Sequence, residues 1–155
     1  MRVVYTRPDG GVSIVIPAEA ARMEDESEDA FLARIVASNV PADASDVRIV
    51  DAADIPSDRT FRNAWKFDGS AIDCDMIKAK DITKERLRGE RKPLLEAQDI
   101  LFMKAQESGA STTAIVAEKN RLRDITQLAD AAEILDELKA ITCSPIDAIK
   151  AGYPK

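Results

Sequence analysis

The chain contains no histidine. That absence removes the commonest general base, the Ser–His and Cys–His nucleophile pairs, and most zinc sites. Cysteine is nearly as scarce: Cys74 and Cys143 are far apart in sequence and form no CxxC pair. Two buried free thiols fit that spacing, with a bridge between them as the alternative. Glycine occurs only six times and aromatics make up 5% of the residues, which favours helices packed through small side chains over ring-filled cores. No stretch approaches the ~20 apolar residues that span a bilayer, and the opening MRVVYTRPDGG lacks the apolar run of a signal peptide. The expectation is a soluble protein made in a cytoplasm. GxGxxG, GxxxxGK(S/T), GxSxG and HExxH are all missing. The acidic pairs Asp73/Asp75 and Asp43/Asp46 read as turns and helix caps, without the spacing of a calcium loop. These absences point to a non-enzyme with no cofactor and no metal.

What is present is organised by charge. Residues 1–58 carry 5 cations and 12 carboxylates, residues 59–92 carry 10 and 6, and residues 93–155 carry 7 and 10. An acidic head, a basic middle and a mildly acidic end follow, a dipole that suits head-to-tail contacts between copies or steering of a charged partner.

Local patterns give the fold. Two β-branched runs, 2–7 and 11–16, flank Pro8-Asp9-Gly10, a strong hairpin signal. Ser27 caps a helix with Glu28 and Asp29 in its first turn and Phe31, Leu32, Ile35 and Val36 on one face. Residues 47–51 read as a third strand. Residues 62–75 read as a second hairpin, or as a short helical turn through Phe61–Trp65. From Asp75 the pattern turns helical, with Pro93 expected to kink or break it near Arg91-Lys92. Gly109 ends that segment, Ser111 or Thr112 caps the next, and a last helix is expected over about 130–141. Ser144-Pro145 reads as the start of a short helix closed by Gly152. The fold class is α+β: a small N-terminal ββαβ head (1–74), then a long kinked helix and a C-terminal antiparallel helical hairpin (75–155).

The stretch RTFRNAWKFDG, residues 59–69, holds the only tryptophan among three cations. Phe61 and Trp65 read as a plug for the small core, with Arg59, Arg62 and Lys66 facing an acidic neighbour. Lys84, Arg88 and Arg91 extend the candidate contact surface along the polar part of the long helix. The candidate core is Phe31, Phe61, Leu94, Leu101, Leu122 and Ile125. Interleaved Asp81, Glu85 and Glu90 and the acidic whole argue against nucleic acid as partner. Self-association or multi-copy assembly fits the hairpin, whose interface one chain seldom buries.

Three stretches, VVYTRPDGGVSIVIPA, ESEDAFLARI and DIPSDRTFRNAW, together resemble the N-terminal part of small proteins from the structural regions of tailed phages and prophages. RKPLLEAQDILFMKAQESGASTTAIVAEKNRLRDIT resembles their C-terminal helical hairpin, with its (K/R)xxLRDI ending at Lys119–Ile125. The likeness covers about three quarters of the chain. It implies a non-enzymatic virion component of tail, neck or collar, made in the bacterial host cytoplasm and contacting other phage structural proteins. The L-R-D ending is also similar to that of tail-fibre assembly chaperones, whose further aromatic and proline-rich elements are absent after Asp124. No catalytic residue is implied.

Overall fold

The structure, a computed structural model, describes residues 1–144. The chain divides into two compact units, Met1–Asp75 and Met76–Lys155. The expected helix after Ser144 lies outside the described residues. The architecture is α+β, strands with one helix among them first and a long helix with shorter ones after.

In the first unit, β1 (Arg2–Thr6) and β2 (Val12–Val15) form an antiparallel hairpin with Val3 opposite Val15. The turn has a physical cause. Gly10 takes a φ of 74°, the Asp9 carboxylate accepts the Gly11 N–H at 2.8 Å, and the Gly10 N–H returns to the Arg7 carbonyl at 2.8 Å. The helix α1 (Glu28–Asn39) starts where the Ser27 hydroxyl accepts the Ala30 N–H at 3.2 Å, and it buries Phe31 and Leu32. β3 (Ser45–Val50) pairs antiparallel with the other edge of β1, giving the order β2-β1-β3. The central strand is therefore the buried one. Val3 and Val4 are fully enclosed, while Val47 and Ile49 on the edge strand stay exposed. A register shift between Val4 and Thr6 coincides with Asp46, whose φ is 52°.

Both readings of residues 61–75 occur in succession. A 3₁₀ turn over Arg62–Ala64 leads directly into β4 (Trp65–Phe67), which pairs antiparallel with β5 (Ile72–Cys74). Asp68 shapes the connecting turn: its carboxylate accepts the Ser70 N–H at 2.8 Å, the Ser70 hydroxyl at 2.7 Å and the Ala71 N–H at 3.1 Å. Those donors hold its pKa at about 2, below the usual 3.8, with the Ala71 N–H acting most strongly. Strand alternation then turns Trp65 and Phe67 into the core, each 6% exposed, and sends Lys66 outward to Asp73 at 3.5 Å. Phe61 and Ala64 are buried beside them.

The second unit is built on α2 (Met76–Ser108), a helix of 33 residues, or about 50 Å. It stays one helix through Pro93, so of the kink or break expected there the break does not occur. A proline here removes one backbone hydrogen bond and crowds the carbonyl four residues back, that of Gly89; both residues are exposed, where water is available to that carbonyl. The helix ends in a Schellman motif. Gly109 has a φ of 70°, its N–H reaches the Gln106 carbonyl, and the Ala110 N–H reaches the Ala105 carbonyl at 2.8 Å. α3 (Thr113–Asp124) then returns along α2.

The last expected helix is two helices, α4 (Thr126–Ala131) and α5 (Leu135–Ala140). Glu137 decides this, its carboxylate accepting the Glu133 N–H at 2.7 Å and so opening a new helix start. As a result Ala132 is buried and Ile134 is exposed, the reverse of the helical pattern. The core of this unit lies at one end, where Ala79, Thr83 and Leu87 of α2 meet Leu122, Ile125, Ala129 and Leu138. Leu94 and Leu101, expected in the core, are 37% and 46% exposed. They sit beyond the reach of α4 and α5, where α3 covers only one stripe of the helix.

Candidate functional site

A groove of about 310 Å³ opens on the surface of the first unit. One wall is β2 and the residues that follow it, Val12 to Ile14 and Ile16. The other is the segment Arg59, Arg62, Asn63 and Trp65, and Arg7 closes the end at the hairpin turn. Each wall has a local origin. The 3₁₀ turn lifts Arg62 and Asn63 to the surface, and the switch to extended backbone at Trp65 returns the ring to the core. Trp65 is thus a floor and not a projecting anchor.

Arg7 is fixed in place. Its Nε donates to the Asp9 carboxylate at 3.2 Å, and its Nη1 donates to the Val12 carbonyl and the Ser13 hydroxyl, both at 3.0 Å. Gly11 makes room for this arrangement: a Cβ there would fall on the Arg7 guanidinium, 2.8 Å from Cζ. Arg59 and Arg62 are different. Among the described residues neither side chain makes a hydrogen bond or an ion pair. With Arg7 neutralised by Asp9, the groove offers two uncommitted guanidinium groups above an apolar floor, beside Ile16, which is 56% exposed. Planar forks of this kind bind carboxylates bidentately.

The six basic candidates separate cleanly. Arg59 and Arg62 line the groove with Trp65; Lys66 points away from it to Asp73. In the second unit, Lys84 binds Asp81 at 3.0 Å and Asp130 at 2.9 Å, and the Asp130 carboxylate, followed by that of Asp81, raises its pKa. Arg88 binds Glu85 at 3.3 Å. Arg91 donates to the carbonyls of Leu122 at 3.4 Å and Arg123 at 2.7 Å, two of the groups left without partners at the end of α3. Lys84 and Arg91 join elements of their own unit, and Arg88 pairs along its own helix.

The sequence reading missed Arg7 and Ile16. The signal for Arg7 was the second glycine of Pro8-Asp9-Gly10-Gly11: a turn of this type needs one glycine at positive φ, and the extra one marks a close approach. Elsewhere in this unit, Glu26 takes both Arg34 nitrogens at 2.8 and 2.7 Å and the Met23 N–H at 3.0 Å. The Arg34 hydrogen bond, before the others, holds the Glu26 pKa at about 2. Both cysteines are free thiols, each with its pKa pushed up by burial, which leaves little thiolate. Among the described residues no group of three or more acidic or cysteine side chains could hold a metal, and no helix is long and apolar enough to cross a membrane.

Comparison with known proteins found no match among family models, curated proteins or solved structures.

Proposed function

We propose that this chain is a non-enzymatic structural subunit of a tailed-phage virion, in the tail, neck or collar, working through protein–protein contacts. The observation that carries the contact reading is the pair of uncommitted arginines, Arg59 and Arg62, over the Trp65 floor. Charge complementarity names the occupant: an acidic segment of a partner protein with an apolar residue to lie against Ile16. The virion setting is supported by the likeness of VVYTRPDGGVSIVIPA, ESEDAFLARI and DIPSDRTFRNAW to phage structural-region proteins. Nucleic acid is the poorer occupant, because base stacking needs an open aromatic face and Trp65 is 6% exposed.

Quantitative mass spectrometry of purified particles tests the reading. A structural subunit is present at a fixed copy number per virion, and charge reversal at Arg59 and Arg62 lowers that number without unfolding the chain. Presence during assembly and absence from finished particles would replace it with the tail-fibre assembly chaperone.

A further inference from the structure

The outer face of α2 carries a second surface. Leu95, Gln98, Phe102 and Ala105 form the half-buried stripe on α2. On the opposite side, at helical spacing, lies the exposed stripe Lys92, Glu96, Ile100, Met103 and Glu107, with Lys104 on its flank. Ile100 is 51% exposed and Met103 56%. The exposed side thus carries two large apolar residues framed by charges, and α3 does not cover them.

The charges around that stripe choose what covers it. Lys92, Glu96, Lys104 and Glu107 make no ion pair or side-chain hydrogen bond among the described residues, unlike Glu85, Arg86, Arg88, Glu90 and Asp99 on the same helix. Their order is self-complementary. If a second α2 lies antiparallel across a two-fold axis at Ile100, each residue faces the one equally far on the other side of Ile100. Glu96 then faces Lys104, Ala97 faces Met103, and Lys92 lies one residue from the position facing Glu107. Symmetry doubles each pair. A parallel arrangement would instead set Glu96 on Glu96 and Lys104 on Lys104, which repel.

We infer that the outer face of α2 pairs with the same face of a second copy of this chain, antiparallel, about an axis through Ile100. The contact spans Lys92 to Glu107, roughly 24 Å of helix. An interface built from one helix per partner falls at the small end of specific contacts, so the pair forms and dissociates with concentration. This inference goes beyond the groove and does not depend on it, since no groove residue takes part.

Sedimentation equilibrium of the full chain tests it. The expected result is a monomer–dimer equilibrium that Glu96→Lys or Lys104→Glu each weakens at least tenfold, and that the double variant Glu96→Lys/Lys104→Glu restores. A strict monomer at hundreds of micromolar overturns the inference, and so does a dimer indifferent to these three variants. Circular dichroism checks that each variant keeps its helix. Geometry is read separately in a Cys74→Ser background. Ile100→Cys should cross-link to itself under mild oxidation while Glu107→Cys should not; equal cross-linking at both would mean a parallel pair and overturn the two-fold proposed.

Discussion

Arginines in both units are tied to backbone carbonyls, but the pair over the groove of the first unit is not. In the second, Lys80, Arg86, Arg91 and Arg121 all donate to backbone carbonyls: those of Asp130, of Leu138 and Ile141, of Leu122 and Arg123, and of Cys143. Short helices packed end-on leave such carbonyls without partners, and a long cation reaches them while its stem covers apolar surface. In the first unit Arg2, Arg7, Arg22 and Arg34 likewise donate to the carbonyls of Met1, Val12, Glu26 and Ala21, whereas Arg59 and Arg62 close no such gap. The same residue type is therefore mortar where an open carbonyl lies within reach and free for contact where none does. Position in a basic run of sequence does not distinguish the two. The acceptors within reach do.

The largest expected break in this comparison is at the groove floor. Trp65→Ala should lower stability by about 3–5 kcal/mol, read by urea unfolding; near-wild-type unfolding would mean that the ring is a contact residue and not a floor. Next, Arg91→Met should lower stability by about 1–3 kcal/mol, since two carbonyls at the end of α3 lose a charged donor. Arg62→Met should stay within about 0.5 kcal/mol of the parent. Equal losses at Arg91 and Arg62 would erase the contrast. A smaller effect should appear with pH. Glu26 and Asp68, both in the first unit, have pKa values near 2 in place of 4.5 and 3.8. Carboxylates whose pKa is depressed by folding stabilise fully above those ordinary values and lose that contribution as pH falls toward 2. Trp65 fluorescence, which reports the first unit, should therefore show an unfolding midpoint that declines below about pH 4.5. Glu26→Gln should flatten that decline, and a slope unchanged by the substitution would count against the Arg34 pairing as its cause.

Much of this was legible in residues whose effect is local. Pro8-Asp9-Gly10 specified a turn, Ser27 a helix start and Gly109 a helix end, because each acts through its own backbone or that of its near neighbours. Leu94 and Leu101 were not legible in the same way. Periodicity tells which side of a helix is apolar, but not whether another element arrives to cover it. The split between α4 and α5 was hidden for a related reason: a continuous helical pattern over 130–141 carries no sign that the Glu137 carboxylate will take a backbone N–H and restart the chain. Arg59 and Arg62 were picked out with Lys66, yet strand alternation separates them, and only the short 3₁₀ turn at Arg62–Ala64 sets which cations share a wall. Arg7 needed the paired turn of the hairpin to reach the same groove.

The uneven grip on α2 has a mechanical consequence. Core side chains of α4 and α5 hold the helix from Ala79 to about Arg91, and the rest projects about 25 Å further to Ser108 with α3 alone beside it. Such an arm is a lever with its fulcrum near Pro93, where one backbone hydrogen bond is already missing. A tilt of about 5° there carries the glycine turn roughly 2 Å sideways, enough to change which neighbour it touches. Small rearrangements beside the fulcrum would thus be read out, enlarged, at the tip.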